Sequence, residues 1–184
     1  MDQELDRILG DEYLAGLAQR SVAELRTSRA ECQALETKLS FLRRLVQGRH
    51  DIVTGEQERR RGGGDPHDVA GLVERLPEIL ADRVRAPGPG RLVTSLEPGE
   101  PSGKLVDRLD SISEAVPIDA PDAVSDESLQ EAAGQLEVLE GEVSHLRRAM
   151  FDRIDAIEAE LTARYRDGEA NVEDLLAAQA DDAP

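Results

Sequence analysis

The chain has 184 residues, with 22 lysines and arginines against 39 aspartates and glutamates, for a formal net charge of −17. Trp is absent and Phe and Tyr number two each, so a core must be built from aliphatic seams, which points to helices in a bundle or coiled coil and away from an ordinary globular domain. The charge disfavours contact with a nucleic-acid backbone across the whole surface and makes a basic protein surface the better partner.

Residues 1–20 read as a short amphipathic helix carrying Leu5, Ile8, Leu9, Leu14 and Leu17, with Gly10 as its break. Such a piece either folds back on the helices that follow or serves as an apolar docking element. The first residues, Met1 to Glu4, are acidic and lack a signal-peptide apolar run. No stretch approaches the roughly 20 apolar residues that span a bilayer, so a soluble, cytoplasmic protein is expected. The single cysteine, Cys32, has no intramolecular disulfide partner and fits a reducing compartment.

Residues 21–61 form the first long helix. Ser21 and Glu24 have capping-box spacing, and Leu25, Cys32, Leu35, Leu39, Leu42, Val46 and Val53 follow in steps that suit one narrow apolar seam. Over roughly 38 residues such a helix is about 57 Å long and needs a partner to bury its stripe.

Residues 62–124 hold eight of the nine prolines and a run of three glycines, Gly62 to Gly64, which exclude a long uninterrupted helix. The expectation is a flexible, largely disordered linker with two short helical inclusions. One lies around Val69 to Val84 and one around Leu105 to Val116, where Ser111 and Glu114 have capping-box spacing. Both are too short and polar to count as a domain.

Residues 125–180 form the second long helix. Ser128 and Glu131 have capping-box spacing, and the seam runs through Leu129, Leu136, Leu139, Val143, Leu146 and Met150, then shifts through Ile154, Ile157 and Leu161.

The two long helices contain a repeat. Ala34 to Val53 aligns with Val138 to Ile157, each residue having its counterpart 104 positions on. Leu35/Leu139, Glu36/Glu140, Ser40/Ser144, Leu42/Leu146, Arg43/Arg147, Arg44/Arg148, Arg49/Arg153 and Asp51/Asp155 are identical. Shared leucines are expected in any two coiled-coil strands; the polar identities carry the information. Glu36, Ser40, Arg43, Gln47 and Asp51 project within roughly an 80° arc, so they line one face beside the apolar seam. The second copy is Glu140, Ser144, Arg147, Phe151 and Asp155, with phenylalanine in place of glutamine. A single copy reads as a solvated charged flank. Glu36 and Arg43 are too far apart along the helix to pair, however, and a mid-helix serine adds little to helix stability. Duplication therefore argues for a ligand.

The chemistry suits guanine nucleotides. Arginine presents a planar fork to guanine O6 and N7 or to phosphate, carboxylates accept from guanine N1–H and N2–H, and serine and glutamine complete phosphate or ribose contacts.

This twice-used pattern of Glu, Ser, Arg, Gln and Asp resembles that of the RsiG-type anti-sigma factors, which bind cyclic di-GMP and sequester a sporulation sigma factor of the WhiG type. The first copy matches at every position and the second departs at Phe151, where an aromatic packs or stacks instead. The resemblance covers the two long helices and the leading segment. It implies an all-α fold, with a long antiparallel coiled-coil helix pair and a short N-terminal helix. It also implies a dimer of cyclic di-GMP as ligand, held by the ten motif residues, with Arg43 and Arg147 approaching a shared surface. Physics alone does not select the topology, because a linker of about 60 residues permits parallel or antiparallel return.

No enzyme constellation occurs. His50, His67 and His145 are scattered without metal-ligand spacing, Gly62 to Gly64 lacks the Lys-Ser or Lys-Thr of a phosphate loop, and the carboxylates lie on solvated faces. Neither catalysis nor a metal centre is expected. The alternative to a ligand-dependent anti-sigma factor is an acidic coiled-coil scaffold without a nucleotide ligand.

Overall fold

Apolar residues recurring at three- and four-residue steps are buried together only in a helix. The computed structural model describes residues 1–64, 73–74, 77, 101–117, 120 and 123–168. Its elements are α1 (Asp2–Leu9), two 3-10 turns (Asp11–Tyr13 and Leu17–Gln19), α2 (Val22–Arg61), α3 (Lys104–Ala115) and α4 (Asp126–Arg166). No strand occurs among the described residues. Apart from residues 73–74 and 77, the expected inclusion from Val69 to Val84 lies outside them, as do most of the linker and residues 169–184.

Local chemistry sets the helix ends. Ser21 Oγ accepts the Glu24 N–H at 3.2 Å, and the Ser21 N–H donates to Glu24 Oε2 at 2.7 Å, which is the reciprocal capping box expected there. The cap of α4 differs from expectation. Ser125, not Ser128, is the capping residue, its Oγ accepting the Ser128 N–H at 3.0 Å. Glu131 instead accepts from Gln135 Nε2 at 3.1 Å. Two serines three residues apart both satisfy the sequence signal, and Asp126 and Glu127, filling the first turn of the earlier start, favour it through the helix dipole. At the far end of α2, Gly63 takes φ +85 and its N–H donates to Arg60 O at 2.9 Å, a left-handed exit open to glycine.

The chain divides into two compact units, one from residues 1–37 with 147–184 and one from 38–146. In the first, Arg147 of α4 bonds Glu36 of α2, Glu158 accepts from Arg29 at 2.8 Å, and Tyr165 accepts from Arg26. Partner numbers rise on α4 as they fall on α2, so the segments run antiparallel. Leu25, Cys32, Leu35, Met150, Ile154, Ile157 and Leu161 are buried. α1 folds back and buries Leu5 and Ile8. Arg153 holds its end, donating to Ile8 O and, at 2.7 Å, to Leu9 O. Behind it the Tyr13 hydroxyl meets Ser28 O and Glu31 Oε2, both at 2.9 Å.

The second unit is antiparallel by the same test. Arg43 bonds Glu140, Gln57 faces Gln130, and Arg60 bonds Asp126 at 2.7 Å. Leu39, Leu42, Val46, Val53, Leu129, Leu136, Leu139 and Val143 are buried, while Leu146, expected in the seam, is only half-buried.

The inclusion around Leu105 to Val116 is more than a polar turn. α3 has 12 residues and buries Leu105, Leu109 and Ile112. Ser111 is not its cap but lies within it, the Oγ donating to Asp107 O at 2.9 Å. Arg49 holds the end of α3, its Nη2 donating to Ser113 O at 2.8 Å and Val116 O at 2.9 Å. The mutual satisfaction of a long-helix arginine and the unpaired carbonyls at a short helix's end docks each short helix on its unit.

The repeat thus begins before the long helices. Leu5 and Leu109, Ile8 and Ile112, Ser21 and Ser125, and Leu25 and Leu129 are each 104 positions apart. They play matching structural parts, and so do the two docking arginines, down to the carbonyls of Leu9 and Ser113.

Candidate ligand site

The repeated polar residues flank the seam on each long helix and make the same contact twice with roles exchanged. In the second unit Arg43 Nε donates to Glu140 Oε1 at 2.7 Å and to Ser144 Oγ at 2.8 Å. Gln47 Nε2 reaches the same carboxylate oxygen at 3.0 Å, and Ser144 Oγ donates to it at 3.1 Å. In the first unit Arg147 donates to Glu36 Oε1 from Nη2 at 3.0 Å and from Nε at 3.3 Å. Each motif arginine therefore meets the motif glutamate of the other copy.

The two pairs differ in what surrounds them. Burial would raise the Glu140 carboxyl, but hydrogen bonds from Arg43, Ser144 and Gln47, together with the Arg43 charge, outweigh it and hold the group below its usual value. Every hydrogen bond that Arg43 makes among the described residues leaves from Nε, so its Nη1 and Nη2 edge is open to an acceptor. Beside it is a cleft of about 420 Å³ lined by Arg43, Gln47, His50, Glu137 and Glu140. In the first unit Arg147 stands 5.6 Å from the Phe151 ring centroid, so the aromatic replacing glutamine supplies a cation–π face where the first copy has an amide.

Ser40 is half-buried in α2, and Asp155 is exposed on α4. Asp51 is largely covered, with Oδ1 at 3.9 Å from His50 Nδ1. Two residues of the cleft, His50 and Glu137, do not belong to the repeated set, so the repeat gives no signal for them. For Arg49 and Arg153, identity at the repeat spacing is such a signal, and their part in docking the short helices is visible only in the structure.

A larger cleft of about 810 Å³ lies in the first unit near Arg7, Tyr13, Arg20 and Glu31. Its cations are already engaged: Arg7 pairs with Glu31 at 3.1 Å, and Arg20 donates to Tyr13 O and Ala15 O. Among the described residues no group of three or more His, Cys, Asp or Glu is placed to hold a metal ion, and no helix is long and apolar enough to cross a membrane.

The pairing of two motif copies is the feature against which a family can be tested. The model of the RsiG-like family matches residues 11–80 and 116–179, more than half of the chain. The chain belongs to the RsiG-like family. Both motif copies and the docking arginines fall within the matched stretches of this RsiG-like chain, and the short helices α1 and α3 lie outside them. No curated protein matches it.

Proposed function

We propose that this RsiG-like chain is an anti-sigma factor that binds cyclic di-GMP on its repeated polar stripe and sequesters a sporulation-type sigma factor of the WhiG kind, blocking transcription from its promoters. The observation that carries the reading is the open Nη edge of Arg43 beside the cleft of the second unit, in a site whose motif contacts recur in the first. A guanidinium whose Nε is already fixed presents its two remaining nitrogens as a preoriented fork for a phosphate or a guanine edge. The ligand-contacting set is Glu36, Ser40, Arg43, Gln47, Asp51, Glu140, Ser144, Arg147, Phe151 and Asp155, and the ligand enters as a dimer.

Partner capture follows from charge. A surface of formal charge −17 complements the basic, DNA-facing surfaces of a sigma factor. Ligand phosphates neutralised by the motif arginines would fix the helix pair in one register, so ligand and partner strengthen each other's binding reciprocally. Titration calorimetry of the full chain with cyclic di-GMP tests the first half. Binding by the wild type and its loss in Arg43→Ala/Arg147→Ala supports the reading, whereas equal heats from both proteins sink it. Sigma-factor pull-down with and without saturating ligand tests the second half, and an unchanged affinity contradicts the coupling.

One observation favours the alternative, an acidic scaffold without a nucleotide ligand: both motif arginines already pair with glutamates of the opposite helix. Under that reading the stripe only fastens the helices, and partner affinity is indifferent to nucleotide.

A further inference from the structure

The cleft of the second unit is lined by three motif residues and by two that the motif does not contain, His50 and Glu137. Glu137 extends the polar stripe by one turn, and His50 stands beside it between Gln47 and Asp51. Glu137 lies three residues before Glu140 on α4, inside the arc that the motif occupies, and His50 lies three after Gln47 on α2, about 20° outside it. Their hydrogen-bonding states differ from that of the motif glutamate beside them. Glu140 Oε1 already receives Arg43, Gln47 and Ser144, so little acceptor capacity is left on that oxygen. Glu137 is exposed at the edge of the cleft and makes no hydrogen bond or ion pair among the described residues. The His50 side chain is 26% exposed, with Nδ1 on the Asp51 side at 3.9 Å, which leaves Nε2 for a ligand.

The first unit has no equivalent. The counterpart of His50 at the repeat spacing is Ile154, 2% exposed in the seam, and that of Glu137 is Gln33.

We infer that His50 and Glu137 complete a guanine-selective half-site on the second unit, with Glu137 rather than the motif Glu140 reading the base. The inference rests on the cyclic di-GMP reading above. A guanine presents N1–H and N2–H side by side, and a carboxylate with both oxygens unengaged accepts the pair; adenine has no such pair of donors on that edge. Arg43 holds a phosphate with its open Nη edge, and His50 donates Nε2–H to the same phosphodiester when its ring is protonated on both nitrogens.

The test is calorimetry of the full chain with cyclic di-GMP and with cyclic di-AMP, on wild type, Glu137→Gln, His50→Gln and, as a control for lost charge, Glu127→Gln at an exposed position of α4. Glu137→Gln should weaken cyclic di-GMP roughly ten- to a hundredfold and leave cyclic di-AMP unchanged or tighter, narrowing the preference. His50→Gln should weaken both nucleotides alike, and Glu127→Gln should match wild type. Wild-type affinity for cyclic di-GMP in both Glu137→Gln and His50→Gln overturns the inference and leaves the reading beneath it standing. A wild type that binds no cyclic di-GMP overturns that reading and the inference with it. Thermal melts of the variants, expected to coincide with wild type, separate either result from misfolding.

Discussion

Arg43 Nε and Glu140 Oε1, 97 residues apart in the chain, meet at 2.7 Å. This pair joins the arginine of one motif copy to the glutamate of the other, and Arg147 with Glu36 repeats it. The Arg43 and Glu140 side chains are 35% and 26% exposed, so solvent screens much of their attraction. Arg43→Ala should cost less than about 1 kcal/mol of stability. Urea melts measure that cost, and a small loss alongside abolished nucleotide binding would place Arg43 in recognition. A loss of several kcal/mol would make it a structural fastener.

Glu56 behaves oppositely. It is 2% exposed and accepts Arg59 Nε at 2.7 Å, Arg59 Nη2 at 2.9 Å and Arg60 Nε at 2.7 Å, while Arg59 is itself only 8% exposed. Glu56→Ala leaves a buried arginine without its carboxylate and should destabilise the fold by about 3–5 kcal/mol. Chemical denaturation of the variant checks this, with Glu58→Ala, at an exposed neighbour, expected near wild type.

Acid should unfold the protein through the same kind of group. Burial raises the Glu56 and Glu140 carboxyls, but their arginine partners outweigh it, and both lie below the ordinary value of 4.5. A depressed native value means that the unfolded chain takes up the proton first. The stabilisation is therefore complete above about 4.5 and is lost as pH falls through the native values. Melting temperature measured between pH 7 and pH 3 should fall on the acid side, and Glu140→Gln should flatten part of that fall.

The docking arginines give a selective prediction. Arg153→Ala removes the donors that hold Ile8 O and Leu9 O, and Arg49→Ala removes those that hold Ser113 O and Val116 O. Each loss should loosen one short helix by roughly 1.5–3 kcal/mol. Amide exchange should then speed up by about ten- to a hundredfold in residues 2–9 for Arg153→Ala and in residues 104–115 for Arg49→Ala. Equal acceleration of both short helices in either variant would contradict the assignment.

Much of this architecture is legible in the sequence because helical periodicity is local. The seam from Leu25 to Val53 is buried as its spacing requires, and the Ser21–Glu24 box forms because both partners lie within one turn. The start of α4 was less legible, since Ser125 and Ser128 offer the same local signal. α3 is hard to read from sequence because its three buried side chains are few for a helix until a long pair is present to receive them.

The sequence by itself determined which residues share a face and that the same face occurs twice, since both follow from position along one helix. Only the tertiary structure decided what those faces meet. A helix's period fixes the direction of Arg43 and Arg147 but not the direction or register of the second helix, and a long connection allows several. Antiparallel return puts Glu140 against Arg43 and Glu36 against Arg147, leaves the Arg43 Nη edge beside a cleft, and brings His50 and Glu137, neither of them a motif residue, to that cleft from opposite helices.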